Sequence, residues 1–228
     1  MANSGFRVAK YDDDLQSLNQ LMMELLRSTR LAMAGACEAL TERNLEKAEF
    51  IANNDDIIDH LEHMVHKTAH DLIMRYQPIA QDLRQILASM RVASDLERIG
   101  DIAESIARRA IVLGDKPQLA VRRVASLGTL VLERFDRLVA AYESRSAISA
   151  DDIRAHDDEI DQAYYRASSD ILTMMESDPA FVRIGAQLLS VAKSFERVGD
   201  RLTNVAEQIL YEVDGKTEFH NRPRAISG

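Results

Sequence analysis

Leu96-Glu97-Arg98-Ile99-Gly100-Asp101-Ile102-Ala103 is the stretch of this 228-residue chain that decides its fold. It returns in the second half as Phe195-Glu196-Arg197-Val198-Gly199-Asp200-Arg201-Leu202. Both copies lie in segments whose apolar residues recur with a helical period. In each copy two carboxylates stand four residues apart, which places them on one face of a helix. The repeat therefore predicts a doubled architecture that carries a pair of like charges in each half.

Helical periodicity runs through nearly the whole chain, and no segment shows the alternation typical of a β-strand. The clearest apolar seam has alternating spacings of four and three residues: Ile184, Leu188, Val191, Phe195, Val198, Leu202, Val205 and Ile209. Such a seam is typical of a long helix in a bundle. Three helices in each half, joined by short connections, predict an all-α fold of two tandem, structurally similar, antiparallel three-helix bundles.

Turn-forming residues divide the chain into six predicted helices. These helices span about residues 13–43, 45–76 with an interruption near Asn53-Asn54, 79–113, 117–146, 149–176 and 178–211. Ser149 is the predicted N-cap of the fifth helix, and Asp178-Pro179 opens the sixth. Gly114 and Pro117 mark the boundary between a first bundle, residues 1–114, and a second, residues 115–212, with a loose tail at 213–228.

The composition excludes several classes of function. The net charge is −9 and no basic stripe is present, so nucleic acid is not an expected partner. No apolar run approaches the roughly 18 uncharged residues that a membrane span needs, and the first 14 residues lack the apolar core of a signal peptide. We expect a cytoplasmic protein that is not inserted in a membrane.

The carboxylates of the repeated motif point away from the predicted core. On a helical wheel, Glu196 lies roughly 130° and Asp200 roughly 170° from the apolar seam. Two further acidic pairs at the same spacing precede the motifs, Asp55 with Asp59 and Asp157 with Asp161. Each half thus offers four carboxylates from two adjacent helices. Oxygen-only sets of this kind suit hard cations such as Mg²⁺, Mn²⁺, Ca²⁺ or iron.

An alternative is that these acidic residues are only solvated. Arg98 could then pair with Asp101, and Arg197 with Asp200, at i, i+3 spacing. Recurrence of the whole set favours the metal site, because solvation requires no particular spacing. Gly100 and Gly199 also require a structural reason, since a glycine inside a helix costs about 1 kcal/mol relative to alanine. Close approach of a neighbouring helix would explain both.

Four histidines lie on the second predicted helix: His60, His63, His66 and His70. Three of them share a stripe with Asp59 and could ligate a transition metal. The second half has Tyr165, Ser168 and Leu172 at the equivalent places, so a histidine site would belong to the first half alone. Surface histidines or an incidental metal site explain the cluster better than a functional histidine site does.

The residues resemble the PhoU family of phosphate-signalling regulators. The resemblance rests on the two repeated segments, on the acidic residues before Asp59 and Asp161, on Leu83-Arg84, and on the segment from Tyr211 to Gly215 with His220. It covers nearly the whole chain, and it implies two similar three-helix bundles, a homodimer, and carboxylates that hold iron, zinc, manganese or magnesium. By that resemblance, the metal ligands would be Glu97, Asp101, Asp59 and Asp55 in one half, and Glu196, Asp200, Asp161 and Asp157 in the other.

The resemblance also implies a function. Proteins of this kind act as negative regulators of phosphate uptake and of the phosphate-starvation (Pho) response. They act as adaptors between the ATPase subunit of the Pst phosphate transporter and a membrane sensor histidine kinase of the PhoR type.

Two other functions stay open from the residues alone. One is a di-iron enzyme, although no Glu here has His three residues later, the pattern of that class. The other is a helical scaffold without metal. No catalytic triad and no phosphate-binding glycine loop is present in the sequence, which favours an adaptor over an enzyme.

Overall fold

Helices form nearly all of the part of the chain that the computed structural model describes, residues 2–42, 44–53, 56–114, 118–156 and 158–215. The helices are α1 (Ala2–Glu42), α2 (Leu45–Ala52), α3 (Asp56–Tyr76), α4 (Ala80–Leu113), α5 (Gln118–Ser144), α6 (Ala147–Ala155), α7 (Asp158–Ser177) and α8 (Val182–Asp214). A single 3₁₀ turn, Pro179–Phe181, leads into α8. The prediction of an all-α fold is confirmed.

Each half is a three-helix bundle. In the first half α1, α3 and α4 pack against one another, and in the second half α5, α7 and α8 do the same. The second of the three long segments in each bundle, here called the middle rod, is broken into two helices. These are α2 and α3 in the first bundle, and α6 and α7 in the second. The two bundles are therefore similar in plan, as the repeated motif predicts.

The middle rods begin and break at defined residues. Asn44 caps the start of α2, since its side chain accepts a hydrogen bond from the backbone N–H of Lys47. The interruption predicted near Asn53-Asn54 is confirmed at Asn53, while Asn54 lies outside the described residues. A matching break at His156 was not predicted, because the sequence carries no glycine or proline there.

Two predicted helix starts are wrong. The first helix begins at Ala2 and not at Asp13 or Asp14, because no proline interrupts the segment and the helix accommodates the acidic residues. Asp12 and Asp13 are exposed, and the half-buried Asp14 accepts a hydrogen bond from the Tyr76 hydroxyl. The N-cap of α6 is Ser146 and not Ser149, since the Ser146 side chain accepts the hydrogen bond from the Ser149 N–H. The predicted stop at Gly114 is confirmed, with a φ of 50° that favours glycine.

The apolar seam of α8 forms the centre of the molecule. Its residues from Leu188 to Ile209 are buried, and Ile184 is partly buried. The most extensive contact of α8 is with α4, so the two bundles share one continuous apolar core. Arg201 on α8 donates a hydrogen bond to Asp95 on α4 across this contact, with an Nη1–Oδ1 distance of 2.7 Å.

A glycine on α5 allows this helix to lie close to α1 of the first bundle and to α8 of its own bundle. A Cβ atom added to Gly128 would lie 2.9 Å from Cys37 Sγ on α1 and 3.0 Å from Phe195 Cζ on α8. Both neighbours are buried. On α1, a Cβ atom at Gly35 would instead meet the end of the partly buried Ile51 side chain, at 2.8 Å from Cδ1. The first site has no room for a methyl group, whereas the second has a neighbour that can rotate.

These two glycines give a matched stability test. Gly128→Ala should lower the free energy of unfolding by about 1 kcal/mol, because the overpacking cost of about 1–3 kcal/mol exceeds the helix-propensity gain of about 1 kcal/mol. Gly35→Ala should leave stability unchanged or raise it. Urea denaturation followed by circular dichroism measures both. Equal stability of the two variants would contradict this account of the α1–α5–α8 contact.

Candidate metal centre

Three predicted ligands of the first half come together on the outside of the bundle. Asp59 lies in the first turn of α3, and Glu97 and Asp101 lie one turn apart on α4. One oxygen atom from each carboxylate lies within 4.8 Å of the other two. Asp59 and Asp101 are exposed, and Glu97 is half-buried. The outward placement predicted from the helical wheel is therefore confirmed for this half.

Buried neighbours fix these side chains in place. Ile58 and Leu61 flank Asp59 and enter the core between α3 and α4, so the carboxylate projects from the opposite edge of its helix. Ile99 and Ile102 do the same for the two acidic residues of α4. Because the apolar residues set the rotation of each helix, the three carboxylates converge without any bond among themselves.

The convergence has an electrostatic cost. Burial raises the pKa of Glu97, and the negative charges of Asp101 and Asp59 raise it further, while Arg98 opposes the shift. Burial and then the charge of Asp101 likewise raise the pKa of Asp59. Glu97 and Asp59 therefore hold their protons more tightly than isolated carboxyl groups would. A bound cation would remove this repulsion.

The donor set fits a hard metal ion. Oxygen ligands lie 2.0–2.1 Å from Mg²⁺ and 2.3–2.6 Å from Ca²⁺, so two ligands on opposite sides of an ion stand about 4–5 Å apart. The three carboxylate oxygens satisfy this limit. Three protein oxygens leave the remaining coordination positions to water or to an oxygen of another molecule.

His66 is the half-buried histidine of the cluster, and it contacts polar residues of α3 and α4. Its Nε2 atom lies 3.0 Å from Oε1 of Glu62 and 3.1 Å from Oγ of Ser94. Ser94 also donates to Glu62 at 3.2 Å. His60, His63 and His70 are exposed. Among the His, Cys, Asp and Glu side chains that the structure describes, only Asp59, Glu97 and Asp101 form a group compact enough for one ion.

The corresponding residues of the second half have different surroundings. Glu196 and Asp200 lie on α8, and Asp161 lies in the first turn of α7. Lys193 binds Glu196, with an Nζ–Oε1 distance of 2.6 Å. The Glu196 side chain is only 15% exposed, so it is more enclosed than the helical wheel predicted. Asp55 and Asp157, the two other predicted ligands, lie outside the described residues.

The close approach predicted for the motif glycines is confirmed at Gly199. A Cβ atom there would lie 3.0 Å from Cδ1 and 3.2 Å from Cγ2 of Ile160 on α7. The glycine therefore allows α7 to lie close beside the acidic face of α8. Substitution by alanine would require the Ile160 side chain of α7 to shift away from α8.

The family model described as PhoU domain matches residues 22–110 and 124–209 of this chain. The chain belongs to the PhoU family. It is similar to a protein of Rhizobium meliloti (strain 1021) named phosphate-specific transport system accessory protein PhoU homolog, with 33% identity over 95% of this chain and 92% of that protein. A homologue of the same name from Xylella fastidiosa (strain Temecula1) is 34% identical over 92% of this chain and 87% of its own length.

Solved structures agree with the family assignment. The crystal structure of PhoU from Pseudomonas aeruginosa matches with a TM-score of 0.83 and 27% identity, over 90% of this chain and all of that one. The phosphate transport system regulatory protein PhoU from Streptococcus pneumoniae matches with a TM-score of 0.82 and 30% identity, over 90% of this chain and 98% of that one. None of the described helices of this PhoU-family chain has the length and apolar character needed to cross a membrane.

Two contacts of the PhoU-type motifs were missed from the sequence. The Lys193–Glu196 pair has i, i+3 spacing, so the sequence carried a signal for it. The contact between Ser94 and Glu62 joins different helices and left no such signal. Together these contacts give the two halves of the protein different polar environments around the same repeated motif.

The raised pKa of Glu97 predicts how stability depends on pH. A carboxyl group with a higher pKa in the folded protein contributes stability below its unfolded-chain pKa and loses it as pH rises through the folded-state pKa. In metal-free protein, Glu97→Gln should therefore raise the melting temperature near pH 7 and change it little near pH 4.

Thermal unfolding in the presence of a chelator measures this effect. Glu133→Gln, at an exposed site on α5, is the matched control and should leave the melting temperature unchanged. A lower melting temperature of the Glu97→Gln variant near pH 7 would show that repulsion does not dominate at this site.

Proposed function

We propose that this protein is a non-enzymatic negative regulator of phosphate uptake and of the phosphate-starvation response. It would act in the cytoplasm as a metal-binding adaptor between the ATPase of a Pst-type phosphate transporter and a PhoR-type sensor histidine kinase. Relatives named as accessory proteins of the phosphate-specific transport system support the transporter as partner. The family resemblance also implies a homodimer, which light scattering of the purified protein tests.

The observation that carries the metal-binding part is the convergence of Asp59, Glu97 and Asp101 from two helices. These residues would hold a divalent or trivalent ion, with iron, zinc, manganese and magnesium as the candidates. The bound ion would supply a positive charge on an otherwise acidic surface and could accept an oxygen ligand from a partner. Because two of the three carboxylates are exposed, a phosphorylated or acidic group of another protein can reach the ion.

The two rival functions make different predictions. A di-iron enzyme would consume oxygen when ferrous iron is added, whereas an adaptor would only bind the metal. A scaffold without metal would bind none. Oxygen-electrode measurements and metal analysis of the purified protein therefore separate the three functions.

Removing the charge of the cluster tests metal binding directly. The combined variant Asp59→Asn, Glu97→Gln and Asp101→Asn should weaken Mn²⁺ binding at the first-half site by at least about a hundredfold, or about 3 kcal/mol. Isothermal titration calorimetry measures the affinity. Glu133→Gln is the control and should bind Mn²⁺ like the wild type. Unchanged Mn²⁺ affinity in the triple variant would exclude this cluster as the metal site.

Partner capture tests the adaptor role. Affinity-tagged protein from cells grown with abundant phosphate should retain the transporter ATPase and the kinase, and the triple variant should retain less of both. Quantitative mass spectrometry of the captured proteins gives the ratio, and circular dichroism confirms that the variant is still helical. If the triple variant captures as much ATPase and kinase as the wild type does, partner binding does not depend on the carboxylate cluster.

A further inference from the structure

The two halves differ in charge at one equivalent position. Ser94 stands three residues before Glu97 in the first half, and Lys193 stands three residues before Glu196 in the second. A residue at this spacing lies one helical turn from the motif glutamate, on the same side of the helix. The first half therefore has a hydroxyl group where the second half has an ammonium group.

Lys193 uses its charge within the second-half site. Its Nζ atom lies 2.6 Å from Glu196 Oε1, which is a short, charge-assisted hydrogen bond. The same atom lies 5.3 Å from the centre of the Tyr164 ring, within the range of a cation–π contact. The lysine thus reaches from α8 toward α7 beside the carboxylate that would have to ligate a metal, and 52% of its side chain is exposed.

The first half offers no such cation at the matching place. Tyr164 stands three residues after Asp161, and the residue three after Asp59 is Glu62. Ser94 donates its hydrogen bond to Glu62, and Glu62 adds a negative charge that helps to raise the pKa of Asp59 and of Glu97. An aromatic ring and a lysine in the second half thus replace a carboxylate and a serine in the first.

We infer that Lys193 is a built-in counter-cation, so that the second half does not take a metal ion and the chain binds metal only in its first half. This inference rests on the proposed metal-binding function, and it restricts the sequence-based prediction of a site formed by Glu196, Asp200, Asp161 and Asp157. An ammonium group tethered to α8 has a high effective concentration at Glu196. A metal ion would have to displace it and would be repelled by it.

The grouping of the ligand atoms agrees with this assignment. Glu97 lies with Asp59 and Asp101 in the one group of ligand atoms compact enough for an ion that the described residues form, whereas Glu196, Asp200 and Asp161 form no such group. Lys193 binds Oε1 of Glu196, and Oε2 is buried without a hydrogen-bond partner among the described residues.

Reciprocal substitutions at the two positions test the inference. In the triple variant that lacks the first-half carboxylates, Mn²⁺ binding should be lost, and adding Lys193→Ser should create a site that binds at least about tenfold more tightly than that background. Lys193→Arg in the same background keeps a cation and should bind no Mn²⁺. In the otherwise wild-type chain, Ser94→Lys should weaken first-half binding by at least about tenfold, whereas Ser94→Ala should not.

Equilibrium dialysis with metal analysis gives the number of ions per chain, and circular dichroism confirms folding of each variant. Mn²⁺ binding by the triple variant itself would overturn the inference, because the second half would then bind metal despite Lys193. Failure of Lys193→Ser to add a site would overturn it as well. Absence of Mn²⁺ binding in the wild type would instead refute the proposed metal-binding function. Whether Lys193→Ser creates a Mn²⁺ site would still decide the role of the lysine.

Discussion

The contact between α4 and α8 constrains the rest of the structure. Each of these helices buries an apolar face in the shared core, so neither can rotate without exposing large side chains such as Leu96 or Phe195. The ion pair of Asp95 with Arg201 crosses the same contact. Since the acidic motif lies on these two helices, the core packing also determines where its carboxylates project.

Because the helices are fixed by the core, the carboxylates of the acidic motif cannot move apart to relieve their repulsion. Like charges on flexible loops would move apart, but Glu97 and Asp101 are held one turn apart on α4, and Asp59 faces them from α3. The repulsion can be relieved only by a proton or by a cation. The raised pKa of Glu97 expresses the first of these routes, and the Lys193–Glu196 pair is an example of the second within the same chain.

The sequence predicted those features that depend on spacing along one helix. The seam of α8 and the stop at Gly114 are of this kind. The convergence of Asp59 with the motif carboxylates joins two helices, and it was predictable only because acidic pairs of the same spacing recur on adjacent helices in both halves. Other features that depend on distant residues were not predictable. The Asp95–Arg201 pair joins residues far apart in sequence, and the burial of Glu196 depends on how α7 lies against α8. The break at His156 was missed because its capping bonds come from ordinary polar residues.

Duplication explains why the two halves can differ without loss of the fold. The apolar positions that hold α4 and α8 together are needed in both copies, whereas the polar residues beside the motif contribute little to packing. A serine in one copy and a lysine in the other therefore leave the core unchanged but place a neutral group beside one motif glutamate and a positive charge beside the other. In the second half Lys193 binds the motif glutamate at 2.6 Å. In the first half the charges of Asp101 and Asp59 raise the pKa of Glu97, and no lysine stands at the equivalent position.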